Sequence, residues 1–304
     1  MSHTQFSIFP ESLNGTNLRH VADCSFDPKA EQQIVKAGGK LDAVDLFLAF
    51  QESQATIKTH DFATVFGSLS MSLLTGLACS NSSYFQYQKR SDGGFASGSN
   101  HNRLRSYKGF LHAVSIEANQ DEKKPATLDL LYHFLADGSN NYAAMLAGQA
   151  LSGTPDLDTY YTLGPLYIDG TQYDGNTKFR LDTGIQFKPS RVAGGLVAQQ
   201  GCVHERGFKM NVEFRDLAPW VTHGMSLDGL VDVVQYLQKV DADGLRVAAN
   251  VAEHIAITFP EAKLEPTKLS GGADDDTMSG YTIHAIQPDP AVAIASISLA
   301  STIP

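Results

Sequence analysis

The 304-residue chain carries one pattern written twice, and self-similarity on this scale constrains the architecture before any single element is assigned. Six blocks recur in the same order. Leu13-Asn14-Gly15-Thr16 pairs with Ile168-Asp169-Gly170-Thr171, and Asn-Gly and Asp-Gly mark tight turns because both residues tolerate positive φ. Val21-Ala22-Asp23 and Phe26-Asp27-Pro28 pair with Leu181-Asp182-Thr183 and Phe187-Lys188-Pro189, and Ala37-Gly38-Gly39 pairs with Ala193-Gly194-Gly195. The segment from Ala55 to Phe62 pairs with Met210 to Leu217. Gln88-Lys89 and Asp92-Gly93 pair with Gln238-Lys239 and Asp243-Gly244. The last block sets the segments from His112 to Ile116 and Pro125 to Thr127 against His254 to Ile257 and Pro266-Thr267. The blocks stand about 155 residues apart at first and about 142 apart at the end. This drift assigns the first half a surplus of about a dozen residues around the Gly/Ser/Asn stretch from Phe95 to Asn102. A Pro/Gly/Ser-containing linker from Leu151 to Asp156 separates the units, which the spacing sets at 1–150 and 151–304.

Within each unit, strand signals dominate. The segments Lys209 to Phe214 and Thr56 to Thr59 alternate polar and apolar residues at the period of a half-buried strand. Thr127 to Phe134, Tyr281 to Ile286 and Ala293 to Leu299 read as further strands. Each half also offers one helix. Leu69, Leu73, Leu74 and Leu77 share a helical face, and Ser226 can cap a helix over Asp228 to Lys239 with Leu230, Val233, Val234 and Leu237 at three- and four-residue steps. The expectation is a mainly β chain: two tandem, structurally similar β-sandwich or barrel units, each with a flanking α-helix.

The chemistry-bearing patterns are sparse. No GxxxxGK[ST], HExxH or GxSxG occurs, and Asp92-Gly93-Gly94 reads as a turn. Cys202-Val203-His204 puts a thiol and an imidazole on one strand face but supplies no third orienting group. Asp274-Asp275-Asp276 lacks the spacing of an EF-type loop and reads as a solvated hairpin. The reading is therefore no enzyme, no cofactor and no metal site. Cys24, Cys79 and Cys202 share no CxxC spacing and read as reduced, buried thiols. The opening residues lack a basic and an apolar stretch, and no run approaches a bilayer span, so the expectation is synthesis in a cytoplasm and no membrane partner. The formal net charge of −10, with only Arg103 to Lys108 as a basic cluster, opposes a nucleic-acid grip. Tyr84, Phe85, Tyr87, Phe95 and Trp220, with Arg103 and Arg105, are the candidates for a subunit interface, where aromatics and arginine concentrate. The long stretch from Ser82 to Ser106 reads as a loop that grips a neighbour.

The order of Gly-Thr turn, acidic strand, Ala-Gly-Gly loop, alternating strand, short helix and returning strand resembles the tail tube proteins of long-tailed bacteriophages. The run from Leu163 to Thr171, followed by Asp182-Thr183-Gly184-Ile185, adds to the resemblance. It covers most of the chain through loose motifs. It implies a virion structural protein that self-associates into rings stacked as a tube. Duplication favours a trimer with pseudo-sixfold symmetry over a hexamer, with other tail proteins as partners and DNA passing through without specific binding. The alternatives are a baseplate, hub or head-decoration protein, a carbohydrate- or cell-surface-binding β module carried by Trp220 and the tyrosines, and a hydrolase with its site assembled across the two units.

Overall fold

The structure, a computed structural model, describes residues 6–35, 45–73, 75–91, 94–120, 124–138, 142–152, 159–173, 175–192, 195–215, 217–224, 229–270, 278–287 and 293–304. It is mainly β, built from antiparallel pairs with two short helical turns. Strands β1 (Phe6–Leu13) and β2 (Thr16–Asn17) meet at Asn14 and Gly15, with φ of 50° and 83°. There follow β3 (Val21–Asp27), the hairpin β4 (Ala30–Val35) and β5 (Asp45–Gln51), and β6 (Gln54–Thr59). After a π-helical turn over Thr64–Ser68 come β7 (Leu77–Cys79), β8 (Ser83–Ser91), β9 (Gly94–Phe95), β10 (His101–Ser106), β11 (Lys108–Asn119), β12 (Thr127–Leu135) and β13 (Ala143–Gln149). One sheet runs β13-β10-β8-β1-β2, with β9 on β8, and the other carries β11-β12-β6-β3, with β7 on β11.

The second half begins with β14 (Tyr160–Ile168) and β15 (Thr171–Tyr173), joined at Asp169 and Gly170 with φ of 48° and 72°. Then come β16 (Asn176–Asp182), the hairpin β17 (Gln186–Ser190) and β18 (Gln200–Glu205), β19 (Lys209–Phe214), and α1 (Ala218–His223), which opens with a proline in its first turn. The chain closes with β20 (Val231–Val240), β21 (His254–Ser270), β22 (Met278–Ala285) and β23 (Ser296–Ser301). Their order is β15-β14-β20-β21-β22-β19-β16, with β23 on β21, and β16 also pairs with β11. That single pairing joins strands of both halves into one thirteen-stranded sheet.

Alternation explains the burial. In β19, Met210, Val212 and Phe214 face inward between exposed Lys209 and Asn211, and in β6 Ala55, Ile57 and Thr59 do the same. The two sheets of the first half pack through Phe85 of β8, whose ring lies 5.5 Å from Tyr132 and 5.4 Å from Phe134 of β12. Tyr132 is fully buried, and its hydroxyl is satisfied by donating to Ser106 Oγ at 3.0 Å.

Several expectations change. The residues from Val231 to Val240 form a strand, not a helix. Val231, Val233 and Val234 are β-branched, and Val233, Tyr236 and Leu237 are buried although they occupy both strand faces. Covered on both sides, such a strand imitates helical spacing. Leu69 and Leu73 are buried in irregular chain, and Leu77 begins β7, so among the described residues of the first half the π turn upstream is the only helical turn. Ser82 to Ser106 is no gripping loop: it contains β8, β9 and β10. Cys24 and Cys79 are buried free thiols, whereas Cys202 is exposed. Leu74, Ala37-Gly38-Gly39, Asp92-Gly93, Ser226, most of the linker and the Asp274 to Asp276 run lie outside the described residues.

Candidate functional site

The proposed interface side chains do not form one surface. Phe85 belongs to the chain's own core, only 1 % exposed, which removes it from any subunit contact. Tyr87 is half-buried against that core. Arg103 forms a bidentate ion pair with Glu11, at 2.7 Å for both contacts, and its guanidinium lies 5.3 Å from the centre of the Tyr84 ring. Arg105 donates to Ser82 Oγ at 3.1 Å and sits over Tyr107, and Lys108 reaches the Gln199 carbonyl at 3.2 Å. The basic cluster is therefore engaged within the fold. Trp220 of α1 is half-buried against Tyr281, with ring centres 6.0 Å apart. Phe95 alone of this set is exposed, below Arg90.

What the fold does build is a junction between its halves, which the sequence reading missed. Strand β16 pairs with β11 from Ser115↔Asp182 through Ile116↔Leu181 and Glu117↔Arg180 to Asn119↔Lys178. Ile116 and Leu181 are wholly buried there, and Arg180 closes an ion pair with Glu117 across the junction. Beyond the ladder, Thr183 donates its N–H to the Val114 carbonyl at 3.0 Å and its hydroxyl to the Ala113 carbonyl at 2.7 Å. The β17–β18 hairpin then lies across the first half. Phe187 stacks on Phe110 with ring centres 4.2 Å apart and planes 9° apart, and it also touches His133 at 4.7 Å. The Ala136 and Gln51 amides donate to the Ala198 and Leu196 carbonyls.

Beneath Phe187 lies a chain of neutral donors and acceptors. Gln54 Nε2 is 3.3 Å from His133 Nδ1, His133 Nε2 is 3.3 Å from His112 Nε2, and His112 Nδ1 is 3.1 Å from the Ala113 carbonyl. One proton assignment satisfies all three contacts: Gln54 donates to His133, His133 to His112, and His112 to the carbonyl. Burial pushes His133 down to about 3, with the charges of His112 and Lys29 acting in the same direction. Burial also lowers His112, against the bond to the Ala113 carbonyl. Both rings are thereby held neutral near pH 7.

Chemistry of the usual kinds finds few groups. Among the described residues, no three His, Cys, Asp or Glu side chains gather at metal-binding distance. Cys202 and His204 are both exposed on β18. The pocket beside Asp61 is built from capping bonds: Asp61 accepts from the Arg19 and Thr64 amides at 2.8 and 3.0 Å, and His60 Nδ1 donates to the Ala126 carbonyl at 2.8 Å.

Among several sheet edges, β3 and one stretch of β21 each carry a single strand partner. Among the described residues β3 pairs only with β6, and residues 263–270 of β21 pair only with β22. On that stretch of β21, Leu269 is 56 % exposed. No protein-family model matches the chain, and no curated protein is significantly similar to it.

Proposed function

We propose that the chain is two copies of one β unit in tandem, and that it is a structural protein of a phage virion whose rings stack into the tail tube. The observation that carries the duplication is the agreement of strand order. The series β2-β1-β8-β10, continued by β11-β12-β6-β3, has the same order as β15-β14-β20-β21-β22-β19-β16, with the long β21 standing for β10 and β11 together. Each series carries an extra hairpin between its third and fourth strands in sequence and a helical turn just after the fourth.

Details at the residue level support the same correspondence. The bulge between Val21 and Asp23 in β3 matches the one between Asn176 and Lys178 in β16, and the bulge at Val114 in β11 matches the one at Thr267 in β21. Bulges are positional devices, so shared ones point to shared descent. The Lys89 N–H donates to His101 Nδ1 and His101 Nε2 donates to the Ala96 carbonyl; Lys239, His254 and Ala248 repeat the arrangement.

This frame replaces several of the motif pairings: Val21, Ala22 and Asp23 fall on Asn176, Thr177 and Lys178 rather than on Leu181 to Thr183, and Pro266 falls on Ala113 rather than on Pro125. His254 corresponds to His101 rather than His112, and the surplus assigned to the first half disappears with that change. Cys24, Ser25 and Phe26 correspond to Phe179, Arg180 and Leu181, so the match of Phe26 with Phe187 falls away.

The tail tube reading rests on three supports: the resemblance, the joining of units edge to edge, and a net charge of −10 that would let DNA slide past without adhering. Three chains then supply six pseudo-equivalent units. Negative-stain microscopy of the purified chain over a rising concentration series tests it. Rings or stacked tubes are expected, and a monodisperse monomer at every concentration contradicts the reading.

A further inference from the structure

We infer that the open edge of β3 and the open stretch of β21 are the two sides of one contact between successive copies of this chain, made in a register that the β11–β16 junction specifies. The inference rests on the duplication and ring reading above. If the halves are copies, the junction inside the chain is one instance of a contact that each unit makes with the next. Its second instance must be made by the surfaces that hold the equivalent positions and lack a partner. Those are β3, equivalent to β16, and residues 263–270 of β21, equivalent to the far half of β11.

The matched bulges fix the register without any free choice. Setting Val114 on Thr267 and Thr177 on Ala22 turns Ser115↔Asp182 into Lys268↔Asp27, Ile116↔Leu181 into Leu269↔Phe26, and Glu117↔Arg180 into Ser270↔Ser25. Burial supplies the independent observation. Ile116 is 0 % exposed, in the core and beside β16, while its counterpart Leu269, paired only with β22 among the described residues, is 56 % exposed. Phe26, its partner in this register, is half-buried and turned toward Phe134 at 5.2 Å. A large apolar side chain beside an unpaired edge invites another strand, and soluble chains normally protect such edges. The contact is shorter than its template at one end: Thr183, which extends the internal ladder, is replaced by Pro28, which has no N–H to give.

The occupant is a second copy of the same chain. The two edges differ in sequence, so the contact is head-to-tail and every copy offers one of each, the arrangement that closes into rings. Strand addition supplies main-chain hydrogen bonds for affinity, and the Leu269–Phe26 pair adds an apolar contact.

The experiment uses the full chain with Cys202→Ser, which removes the exposed native thiol, and a short thiol-to-thiol cross-linker. The Ser25→Cys/Ser270→Cys pair is expected to give covalent oligomers, and each single variant only monomer. The mismatched pair Ser25→Cys/Leu269→Cys, which directs one thiol to the opposite sheet face, is expected to give little product. Leu269→Asp is expected to keep the native far-ultraviolet circular dichroism while losing assembly at least tenfold. Rings that form without cross-linking the matched pair, or that persist in Leu269→Asp, overturn this contact and leave the tube reading standing. A parent chain that never assembles overturns both.

Discussion

At the residue scale, the fold depends on a few buried polar groups whose hydrogen bonds are complete. His101 and His254 are each fully buried, and each ties a strand amide to a loop carbonyl. Replacing either with alanine strands a buried donor and a buried acceptor and should cost about 2–4 kcal/mol. Urea unfolding of His101→Ala and His254→Ala should give similar losses, and a loss confined to one half would argue against equivalent roles. The His112–His133 pair makes a pH prediction of definite sign. Both groups are depressed in the folded chain, so the unfolded chain binds more protons in acid. Their contribution is complete above the unfolded value of about 6.5 and is lost as pH falls from there toward the folded values. Urea midpoints should therefore decline from about pH 6.5 to pH 5, above the range where most carboxylates titrate. His133→Phe should flatten that slope, and an equally steep slope in the variant would contradict the assignment.

At the element scale, the β17–β18 hairpin is held by Phe187 stacked on Phe110 and by the carbonyls of Leu196 and Ala198. Phe187→Ala should cost about 1–3 kcal/mol, reduced from a core phenylalanine by its half-exposed position. Hydrogen exchange should show faster Gln51 and Ala136 amides with the β11–β12 ladder still protected; loss spread evenly over the chain would contradict a local clamp. This scale also shows what the sequence made legible. β19 begins and ends at the alternating segment Lys209 to Phe214, because one face is buried and one is wet. β20 imitates helical spacing because both of its faces are covered, which erases the period of two on which the distinction depends. Phe187 was visible as a residue but not as a clamp, since Phe110 lies far from it in sequence and nothing local reports the contact. The Asn14-Gly15 and Asp169-Gly170 turns were legible because positive φ restricts the residues that can occupy them. Sequence alone does not choose between His101 and His112 as a counterpart of His254; the hydrogen bonds that His101 shares in kind with His254 do.

At the scale of the whole molecule, one junction carries the account. The halves meet through strand pairing between β11 and β16, and among the described residues β3 pairs only with β6 and residues 263–270 of β21 only with β22. Under the proposed duplication, assembly would need no new type of contact, only repetition of the internal one. Rings made this way contain an even number of units, two from each chain, and alternate internal and inter-chain junctions around the circle. The most direct test is to count chains and units in the smallest closed assembly, by native mass spectrometry with microscopy of top views. The account predicts three chains arranged as six similar lobes, whereas a chain that stays monomeric, or a ring of six chains, contradicts it.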